Sequence, residues 1–531
     1  MPNTQNSTDA IIIGGGHNGL VCAYYLASNG LKVNIFERRP IIGGAAVTEE
    51  FHPGFKNSVA SYTVSLLNPE IIKEMKLKEY GLKIVKRPIS NFLPIDDKTY
   101  LKLGGGLERT QEEFKKFSEK DAAKLPEYYD RIEAVADVLR DISVKTPPNP
   151  KKGIKAVLGA ALQLWPIATK GNQVHRDVYD LFTKSARSFL DSWFENEHIK
   201  AAFGFDSIVG NYASPDTPGS AYVLLHHVFG EIDGEKGAWG HAIGGMGAIT
   251  RAMEKACKNM GVKIFTDAPV NKVIVKENTA IGIELEGGSS IKANKIISNL
   301  NPKLLYKKLI SENELEPEFN RSMDGYKCGS GTFRMNVALS ELPDFTALPG
   351  KELAEHHQSG IVIAPTLDYM DKAYIDAKSQ GWSSAPIIEM LIPSTMDNTL
   401  APEGKHVASL FCQQFSPTMP DGSSWHDHRL AAADTIIETV TEHAPNFRKS
   451  ILGMMILSPL DLEEKFGLIG GDIMHGQMSL DQMWAARPLM NYGNYRGPLK
   501  SLYMCGSGTH PGGGVTGLPG KNAAREILKD V

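Results

Sequence analysis

The 531-residue sequence is poor in cysteine, and none of its cysteines stands near another. This spacing excludes a redox disulfide formed by neighbouring cysteines and disfavours a structural disulfide framework. Reduced cysteines are typical of the cytosol or of an organelle matrix. The five residues are Cys22, Cys257, Cys328, Cys412 and Cys505.

The sequence also lacks an excess of positive charge. With a formal net charge of −4, it offers no electrostatic reason to expect a nucleic-acid partner. Its first eight residues, MPNTQNST, contain neither a basic segment nor an apolar core, so no signal or transit peptide is expected. We therefore expect a cytoplasmic protein, soluble or peripherally membrane-associated, with the mitochondrial matrix as the alternative if the source is eukaryotic.

Glycine is abundant, and its first cluster has the setting of a nucleotide-binding turn. Residues 9–37 have the pattern of a strand, a tight turn, a helix and a second strand, and the apolar run at 10–13 is typical of a buried parallel strand. Gly14, Gly16 and Gly19 follow directly as GxGxxG. These glycines allow the turn, the approach of backbone N–H groups to phosphates, and close helix–strand packing. The helix N-terminus adds free N–H donors and the positive end of its dipole.

An acidic residue completes this dinucleotide fingerprint. The second strand, at 32–36, ends at Glu37, whose carboxylate is placed to accept hydrogen bonds from both hydroxyls of an adenosine ribose. Its distance from the glycines is about the 20 residues that the fingerprint requires. A carboxylate here disfavours the 2′-phosphate of NADP, so FAD or NAD is expected. A glycine turn that binds nothing is the competing interpretation, which the complete context of strand, helix and acid disfavours.

A second glycine pair, Gly43-Gly44, follows six residues after Glu37. It would let the backbone pass close to another part of a large cofactor. A fold that binds only NAD does not require this, so FAD is favoured. A simple turn after the strand is the alternative.

Several stretches of the sequence resemble the flavoprotein family of phytoene desaturases and their amine-oxidase-fold relatives. They are GGGHNG, FERRPIIGGAAVTEE and HPGF near the start, then SPDTPGSAYVLLHHVFG at 214–230, GAWGHAIGGMGAI at 237–249 and CGSGTHPGGGVTG at 505–517. The resemblance extends along the whole chain. One position departs from the family pattern, because Ala45 stands where desaturases usually carry Arg, and the flavin contact of that Arg is not carried over.

The resemblance implies an α/β fold with three parts. These are a Rossmann-like FAD-binding domain with a mixed sheet and a β-meander, an inserted α+β substrate domain, and a helical insertion. Long charged segments with helical periodicity after residue 101 support the insertion. We assign residues 1–100, 226–301 and 481–531 to the discontinuous FAD-binding domain, 101–225 to the helical insertion and 302–480 to the substrate domain.

The resemblance also places the glycine-rich stretch 505–517 against the flavin. It implies a loop after Gly506 near the ribityl chain and pyrophosphate, and a helix N-terminus at Gly514-Val515 near the pyrimidine end, where the helix dipole would stabilise reduced flavin. Ser507 stands where the family often has Asp, so the usual carboxylate contact to the ribityl chain is not expected.

We expect noncovalent FAD, because no cysteine or histidine lies in a known attachment pattern. Val270 matches the position whose backbone contacts adenine in the family. His510 is the titratable side chain that its motif puts beside the flavin, either as a general acid or base or as a structural hydrogen-bonding residue. The predicted cofactor-binding residues are Gly14, Gly16, Asn18, Gly19, Glu37, Arg38, Arg39, Gly43, Gly44, Ala45, Val270, Gly506, Gly513, Gly514 and Val515.

Two further segments carry weaker predictions. The segment 151–170, KKGIKAVLGAALQLWPIATK, is too short and too interrupted by Pro166 to span a bilayer. Packing as a helix over the substrate cavity is the favoured interpretation, and peripheral contact with a membrane is the alternative. The triplet 426–428, His-Asp-His, would place two imidazoles on one face of a strand, but no third ligand stands nearby, so no metal site is predicted.

One flavin, no partner cysteines and no second nucleotide fingerprint predict a one-cofactor oxidoreductase. The resemblance implies dehydrogenation, saturation or redox-assisted isomerisation of an apolar small molecule, polyene or lipid-like, by hydride transfer at flavin N5. One alternative is an FAD-binding protein that acts mainly through protein interaction. Another is an amine oxidase, against which stands the lack of an aromatic residue at 510–511. The sequence determines neither the electron acceptor nor the oligomeric state, and an oligomer is compatible with it.

Overall fold

The structure, a computed structural model, describes residues 8–531. Residues 1–7 belong to the polar stretch in which no signal peptide is expected, and they lie outside the described residues. The strands, in chain order, are β1 (Thr8–Ile13), β2 (Val33–Phe36), β3 (Thr48–His52), β4 (Phe55–Ser58), β5 (Ile84–Lys86), β6 (Asn91–Pro94), β7 (Tyr100–Leu103), β8 (Glu231–Ile232), β9 (Glu235–Lys236), β10 (Gly240–Ala242), β11 (Lys263–Phe265), β12 (Val270–Lys276), β13 (Thr279–Leu285), β14 (Ser290–Ser298), β15 (Phe333–Leu339), β16 (Gly360–Ile363), β17 (Trp382–Leu391), β18 (His406–Phe415), β19 (Ile451–Leu457) and β20 (Leu502–Met504). The α-helices are α1 (His17–Ser28), α2 (Pro69–Glu74), α3 (Leu107–Lys115), α4 (Glu119–Ser143), α5 (Ile154–Ala168), α6 (Asn172–Thr183), α7 (Ala186–Asp191), α8 (Glu197–Gly204), α9 (Gly247–Asn259), α10 (Pro302–Leu304), α11 (Pro317–Asp324), α12 (Leu367–Gln380), α13 (Trp425–His443), α14 (Phe447–Ser450), α15 (Pro459–Phe466) and α16 (Leu518–Leu528).

The first sheet is built around β1, whose residues 10–13 are apolar and buried. Its strand order is β11-β2-β1-β14-β13-β12, and β20 also pairs with β14. β1 pairs in parallel with both β2 and β14. A parallel sheet covered on both faces accepts a continuous apolar strand, which explains why this run forms the centre of the sheet.

Strand β14 joins the parallel sheet to the β-meander. Its first residues pair antiparallel with β13, where Gly282 lies opposite Lys292, and its last residues pair in parallel with β1, where Ile13 lies opposite Ser298. One strand thus belongs both to the meander and to the parallel part of the sheet. The predicted combination of a mixed sheet and a meander is therefore confirmed as one continuous sheet.

The second sheet has the order β19-β15-β18-β17-β16-β6-β7. β17 and β18 lie within residues 302–480, the part assigned by sequence to the substrate domain. β6 comes from the part assigned by sequence to the FAD-binding domain, and β7 crosses the boundary at residue 101 into the predicted helical insertion, yet β6 pairs with β16 and β7 pairs with β6. The apolar residues Phe92 and Leu93, which are buried, indicate a strand at this position. They do not indicate which strand it pairs with, because pairing is decided by tertiary packing. The domain division itself stays a prediction.

Helices α3 to α8 occupy the region predicted as a helical insertion. The longest of them, α4, begins with Ser118 as its N-cap and continues through Pro126. Its apolar residues Leu125, Tyr128 and Ile132 recur at helical spacing and are buried in one core cluster with α7 and α8. This core packs against one face of the second sheet through residues such as Phe411.

The expectation that segment 151–170 packs over the substrate cavity is wrong. The segment forms α5, and most of its large apolar side chains are exposed. Apolar content alone could not indicate which face of the helix meets the protein. Among the described residues, no helix combines the length and the apolar character that a membrane span requires.

The triplet at 426–428 lies in the first turn of α13 and not in a strand. Ser424 caps this helix by accepting a hydrogen bond from the His426 backbone N–H. The two imidazoles have different partners, since His426 Nε2 lies 3.0 Å from a Glu464 carboxylate oxygen and His428 Nε2 lies 2.8 Å from the Ser423 hydroxyl. The two rings therefore do not converge on one point.

The fold brings two distant cysteines together. Cys22 in α1 and Cys505 after β20 are both fully buried and lie within hydrogen-bonding reach of each other. Burial raises the pKa of the Cys505 thiol well above its ordinary value, so it stays protonated at neutral pH. All five cysteines are free. Four of them are buried, and Cys328 is partly buried.

We predict that a thiol reagent added to the native protein modifies Cys328 ahead of the other four thiols, which are buried, but modifies it slowly, because partial burial raises the pKa of its thiol to about 12. After denaturation all five should react. The measurement is a colorimetric thiol titration before and after unfolding. Modification of another cysteine ahead of Cys328 in the native protein, or only three reactive thiols after unfolding, would contradict the structure.

Candidate cofactor-binding and active site

An elongated cavity of about 440 Å³ extends from the first sheet to the second. At one end it is lined by the loops after β1 and β2, and at the other by Phe411 of β18 and Val209 of the helical insertion. Its volume lies within the range of roughly 300 to 1,000 Å³ that is common for small-molecule sites. Both sheets and the helical insertion therefore contribute to one site.

The glycines after β1 have the conformations and contacts that the fingerprint predicts. Gly14 has φ +94°, which only glycine adopts without strain. A Cβ on Gly16 would lie 2.8 Å from Asn299 Nδ2, and a Cβ on Gly19 would lie 2.5 Å from the carbonyl oxygen of Gly14. Gly16 is the N-cap of α1, and no side chain of the described residues caps this end. The N-terminus of α1 thus offers free backbone donors beside the cavity, which is an arrangement suited to a pyrophosphate.

Glu37 lines the cavity at the end of β2 and is buried. One carboxylate oxygen accepts a hydrogen bond from the Gly15 N–H at 2.8 Å, and the other accepts one from the Arg39 N–H at 2.9 Å. Each carboxylate oxygen has two acceptor sites, so capacity remains for ribose hydroxyls. Glu37 therefore also holds the glycine turn in place, which the sequence did not reveal.

The loop after β20 contacts the glycine turn directly. The Asn18 side-chain amide donates to the Ser507 hydroxyl at 3.1 Å, although the two residues are 489 positions apart. The His17 ring lies close to the backbone of Gly514. Asn18, Ser507, Gly514 and Val515 all line the cavity. The structure thus brings the first and last glycine-rich segments to the same site.

The helix expected at Gly514-Val515 begins later, at Leu518. Gly514 and Gly517 have φ +90° and +76°, and such left-handed residues interrupt a helix. Pro519 lies in the first helical turn, where its missing N–H is not needed. The prediction that a helix N-terminus stands at Gly514-Val515 is therefore wrong, and these two residues line the cavity as part of a loop.

Arg487 holds this loop from behind and was missed by the sequence reasoning. Its guanidinium is fully buried and donates to the carbonyl oxygens of Ser507 at 3.0 Å and Met474 at 2.6 Å. Further donor contacts reach the carbonyls of Gly476 and Gln482. No motif surrounds Arg487, and only its burial identifies its role.

Several buried polar atoms of the lining residues have no hydrogen-bond partner within the described chain. They are His17 Nε2, Asn18 Oδ1, Arg39 Nη1 and His475 Nδ1. Leaving a buried polar group unpaired costs about 1 to 3 kcal/mol, so such atoms mark places where a polar ligand fits. Burial lowers the pKa of His17 to about 4 and that of His475 to about 3, so both rings are neutral at neutral pH. These free polar groups beside a glycine turn fit a dinucleotide cofactor.

Aromatic side chains line the far end of the cavity. Tyr62 stacks on Phe411 with ring centroids 5.0 Å apart, and Trp239 lies in the same lining. The Tyr62 hydroxyl donates to Glu389, and the Arg334 guanidinium carbon lies 4.6 Å from the Tyr62 ring centroid. The sequence did not identify this group, because its members come from separate elements and carry no motif.

His510 is not among the residues that line the cavity. It is buried, and its Nε2 lies 3.2 Å from the carbonyl oxygen of Ile142, to which it can donate. Burial lowers its pKa to about 4. This position matches the structural interpretation of His510, and a catalytic role stays a prediction.

Four predicted cofactor-binding glycines pack beside the cavity without lining it. A Cβ on Gly506 would lie 2.8 Å from the Asn299 carbonyl oxygen, and one on Gly513 would lie 2.7 Å from the Met474 Cα. A Cβ on Gly19 would lie 2.5 Å from the Gly14 carbonyl oxygen, and one on Gly43 would lie 2.8 Å from the Ala46 carbonyl oxygen. These four allow close packing of the loops. The predicted residues that do line the cavity are Gly14, Gly16, Asn18, Glu37, Arg38, Arg39, Gly44, Ala45, Val270, Gly514 and Val515.

Comparisons with known proteins agree with this geometry. The family model for flavin containing amine oxidoreductase matches residues 19–332. Pyridine nucleotide-disulfide oxidoreductase domain-containing protein 2 of Rattus norvegicus is 40% identical, over 98% of this chain and 94% of its own. Phytoene desaturase (lycopene-forming) of Pantoea ananas is 24% identical, over 98% of this chain and 99% of its own. The crystal structure of an oxidoreductase from Methanosarcina mazei has a TM-score of 0.61 at 16% identity, over 98% of this chain and 100% of that one, which shows a shared fold.

We predict that Glu37→Ala weakens FAD binding, because it removes an acceptor and releases the Gly15 and Arg39 N–H groups. A hydrogen bond to a charged group contributes about 1.5 to 3 kcal/mol, so the loss should be roughly tenfold to hundredfold. The measurement is a titration of the apoprotein followed by flavin fluorescence. Glu50→Ala, at an exposed position nearby, is the control. Equal affinity of both variants would refute the role of Glu37.

A second prediction separates the two ends of the cofactor. Gly514→Val should greatly reduce FAD affinity and leave ADP affinity intact, because a Cβ at Gly514 would lie 2.8 Å from Leu66 at the cavity wall. Gly30→Val is the matched control, since Gly30 has φ +89° and no atom near its Cβ position. Calorimetric titrations with FAD and ADP make the comparison. Unchanged FAD affinity in the Gly514 variant would place the loop away from the flavin.

The buried histidines predict a dependence of stability on pH. The pKa of His475 falls from 6.5 to about 3 on folding. Between these two pH values the His475 ring is protonated in the unfolded chain and neutral in the native chain. This contribution to stability is complete above about pH 6.5 and is lost progressively as the pH falls toward 3. Thermal denaturation of the apoprotein from neutral to acidic pH measures the slope. His475→Asn should show a shallower decline, and an unchanged slope would contradict the assignment.

Proposed function

The chain belongs to the flavin containing amine oxidoreductase family, and we propose that it dehydrogenates, saturates or isomerises an apolar substrate, polyene or lipid-like. It is an FAD-dependent oxidoreductase, and FAD is its cofactor. The observation that carries the proposed substrate class is the apolar lining at the far end of the cavity. Beyond the cofactor-binding loops, the apolar residues of this lining are Val64, Leu66, Leu67, Val209, Trp239, Phe411, Leu468 and Ile473, and they are interspersed with Ser61, Tyr62, Thr63, Ser65 and His226.

One set of residues would hold the cofactor, and another would enclose the substrate. The N-terminus of α1 and the backbone around Gly14 and Gly16 would hold the pyrophosphate, and Glu37 the adenosine ribose. The loop with Ser507 and Gly514 would lie along the rest of the cofactor, which we propose is bound noncovalently. When bound, FAD supplies the centre that accepts or donates a hydride.

Some polar groups at the far end already have partners, although Nε and Nη1 of the buried Arg334 have none within the described residues. Glu389 accepts from the Tyr62 hydroxyl, and the Arg334 side chain donates to the Ser409 hydroxyl and lies over the Tyr62 ring. Apolar contact there excludes water from a bound substrate. The phytoene desaturase relative bears a name that specifies an apolar substrate, which supports the same class here.

An amine oxidase is the second candidate, and the stacked Tyr62 and Phe411 rings favour it, because aromatic faces attract amines and cations. Two features oppose it. The rings are already in contact, which leaves no space between them for a substrate. In addition, the buried cations Arg87 and Arg334 lie near Tyr62 and would repel a protonated amine.

Turnover by the holoenzyme tests the proposal. Under anaerobic conditions, a micellar polyene or fatty acyl compound should bleach the visible flavin band of oxidised enzyme or restore it in photoreduced enzyme. The product should then differ from the substrate by two hydrogens in its mass spectrum, or, for an isomerisation, in chromatographic retention and absorption spectrum at unchanged mass. Bleaching by putrescine or benzylamine alone would favour the amine oxidase, and no response to any compound would favour a binding protein without turnover.

For an active apolar substrate, we predict that Val209→Thr raises KM and changes kcat little. The substitution keeps the shape of the side chain but adds a hydroxyl to the apolar wall, which costs about 1 to 3 kcal/mol when unpaired. KM should therefore rise roughly fivefold or more. Val531→Thr, at an exposed position outside the cavity and outside α5, is the matched control. Steady-state kinetics in which both variants match the unsubstituted enzyme would exclude Val209 from substrate contact.

A further inference from the structure

Helix α5 presents an apolar stripe to solvent. Ile154, Val157, Leu158, Leu162 and Trp165 are 60 to 77% exposed. Their spacing of three and four residues places them along one face of the helix. Surface helices of soluble proteins normally turn such a stripe inward, so this face has the orientation expected of a helix whose partner lies outside the protein.

Contacts on the other side fix the helix in this orientation. Ala156 is buried, and the Gln163 side-chain amide donates to the Thr146 carbonyl at 2.6 Å. At the C-terminal end of α5, the His175 ring lies 2.7 Å from the Ile167 carbonyl oxygen. The stripe therefore cannot turn inward without breaking these contacts.

The charged residues of the segment that contains α5 are of one sign. Residues 142–176 contain no Asp or Glu, although the whole chain has a net charge of −4. Exposed cations stand at both ends of the stripe, with Lys155 near its start and Lys170 and Arg176 after its end. The cations of this segment are Lys145, Lys151, Lys152, Lys155, Lys170 and Arg176.

We propose that α5 docks in the interface of an anionic membrane, with its apolar stripe at the level of the acyl chains and its lysines at the lipid headgroups. A helix with an apolar face, an exposed tryptophan and flanking cations has the chemistry of an interfacial anchor. At 15 residues α5 is about 22 Å long, so it lies on a bilayer and does not cross one. The proposal concerns this surface and does not depend on the substrate class.

A second copy of the chain is a less suitable partner. Two-fold association through α5 would place the same surface of both copies together, so the cations of one copy would face those of the other. Such like-charge contacts oppose association, whereas anionic headgroups attract every cation of the segment. A membrane satisfies both the apolar stripe and the exposed cations Lys155, Lys170 and Arg176.

Vesicle flotation of the full-length holoprotein tests the proposal. It should float with vesicles of phosphatidylglycerol and phosphatidylcholine in equal parts, and much less with phosphatidylcholine alone. Added salt should weaken the binding, because the charged contribution is screened. Failure to float with the anionic vesicles, or equal flotation with both, would overturn the proposal.

Two variants separate the apolar and the charged contributions. Leu162→Glu should reduce partitioning roughly tenfold or more, whereas Leu430→Glu, at a similarly exposed leucine of α13, should not. Lys155→Glu combined with Lys170→Glu should also reduce it roughly tenfold or more. Lys263→Glu combined with Lys292→Glu makes the same change in net charge on the first sheet, and it should have less effect.

Circular dichroism and flavin absorption of each variant show whether the fold and the cofactor site persist. Analytical ultracentrifugation then addresses the competing occupant. A dimer in the unsubstituted protein that dissociates in Leu162→Glu would make α5 a self-association surface and overturn the proposal. Equal losses of flotation in Leu162→Glu and Leu430→Glu would overturn it as well.

Discussion

The contact between the first and the last glycine-rich segments is the constraint on which the site depends. The turn after β1 forms the N-terminus of α1, but it covers only one end of the cavity. The Asn18–Ser507 hydrogen bond and the His17–Gly514 contact close the site from the other end of the chain. The chain between these segments supplies the rest of the first sheet, the second sheet and the helices that enclose the remaining cavity.

Burial sets the electrostatics of this site. His17 and His475 are kept neutral, so their free nitrogens act as hydrogen-bonding groups without charge. The Arg487 guanidinium donates its hydrogen bonds to backbone carbonyl oxygens, and in this way it fixes the loop at Ser507. Asp472, also buried, accepts three backbone N–H groups in the same region. Buried polar contacts thus hold the loop around the cofactor site, in addition to the apolar packing of Cys505, Val515 and Leu518.

Sequence reasoning succeeded where local sterics decide the structure. The apolar run of β1, the glycines after it and Glu37 have fixed spacings, and the structure places them as predicted. It failed where tertiary packing decides. Arg487 and the Tyr62–Phe411 pair have no motif, the helix after Gly514 begins only at Leu518, and the exposed face of α5 could not be told from a buried one. The family resemblance supplied the C-terminal segment, which periodicity alone would not have connected to the first turn.

The central claim is that the two glycine-rich segments together enclose one FAD molecule. A crystal structure of the holoprotein tests it most directly. We expect density for the adenosine beside Glu37 and Val270, for the pyrophosphate at the N-terminus of α1, and for the isoalloxazine ring between Ala45 and the loop at Ser507 and Gly514. Density for the ring outside the reach of that loop, with the Asn18–Ser507 contact absent, would contradict the account.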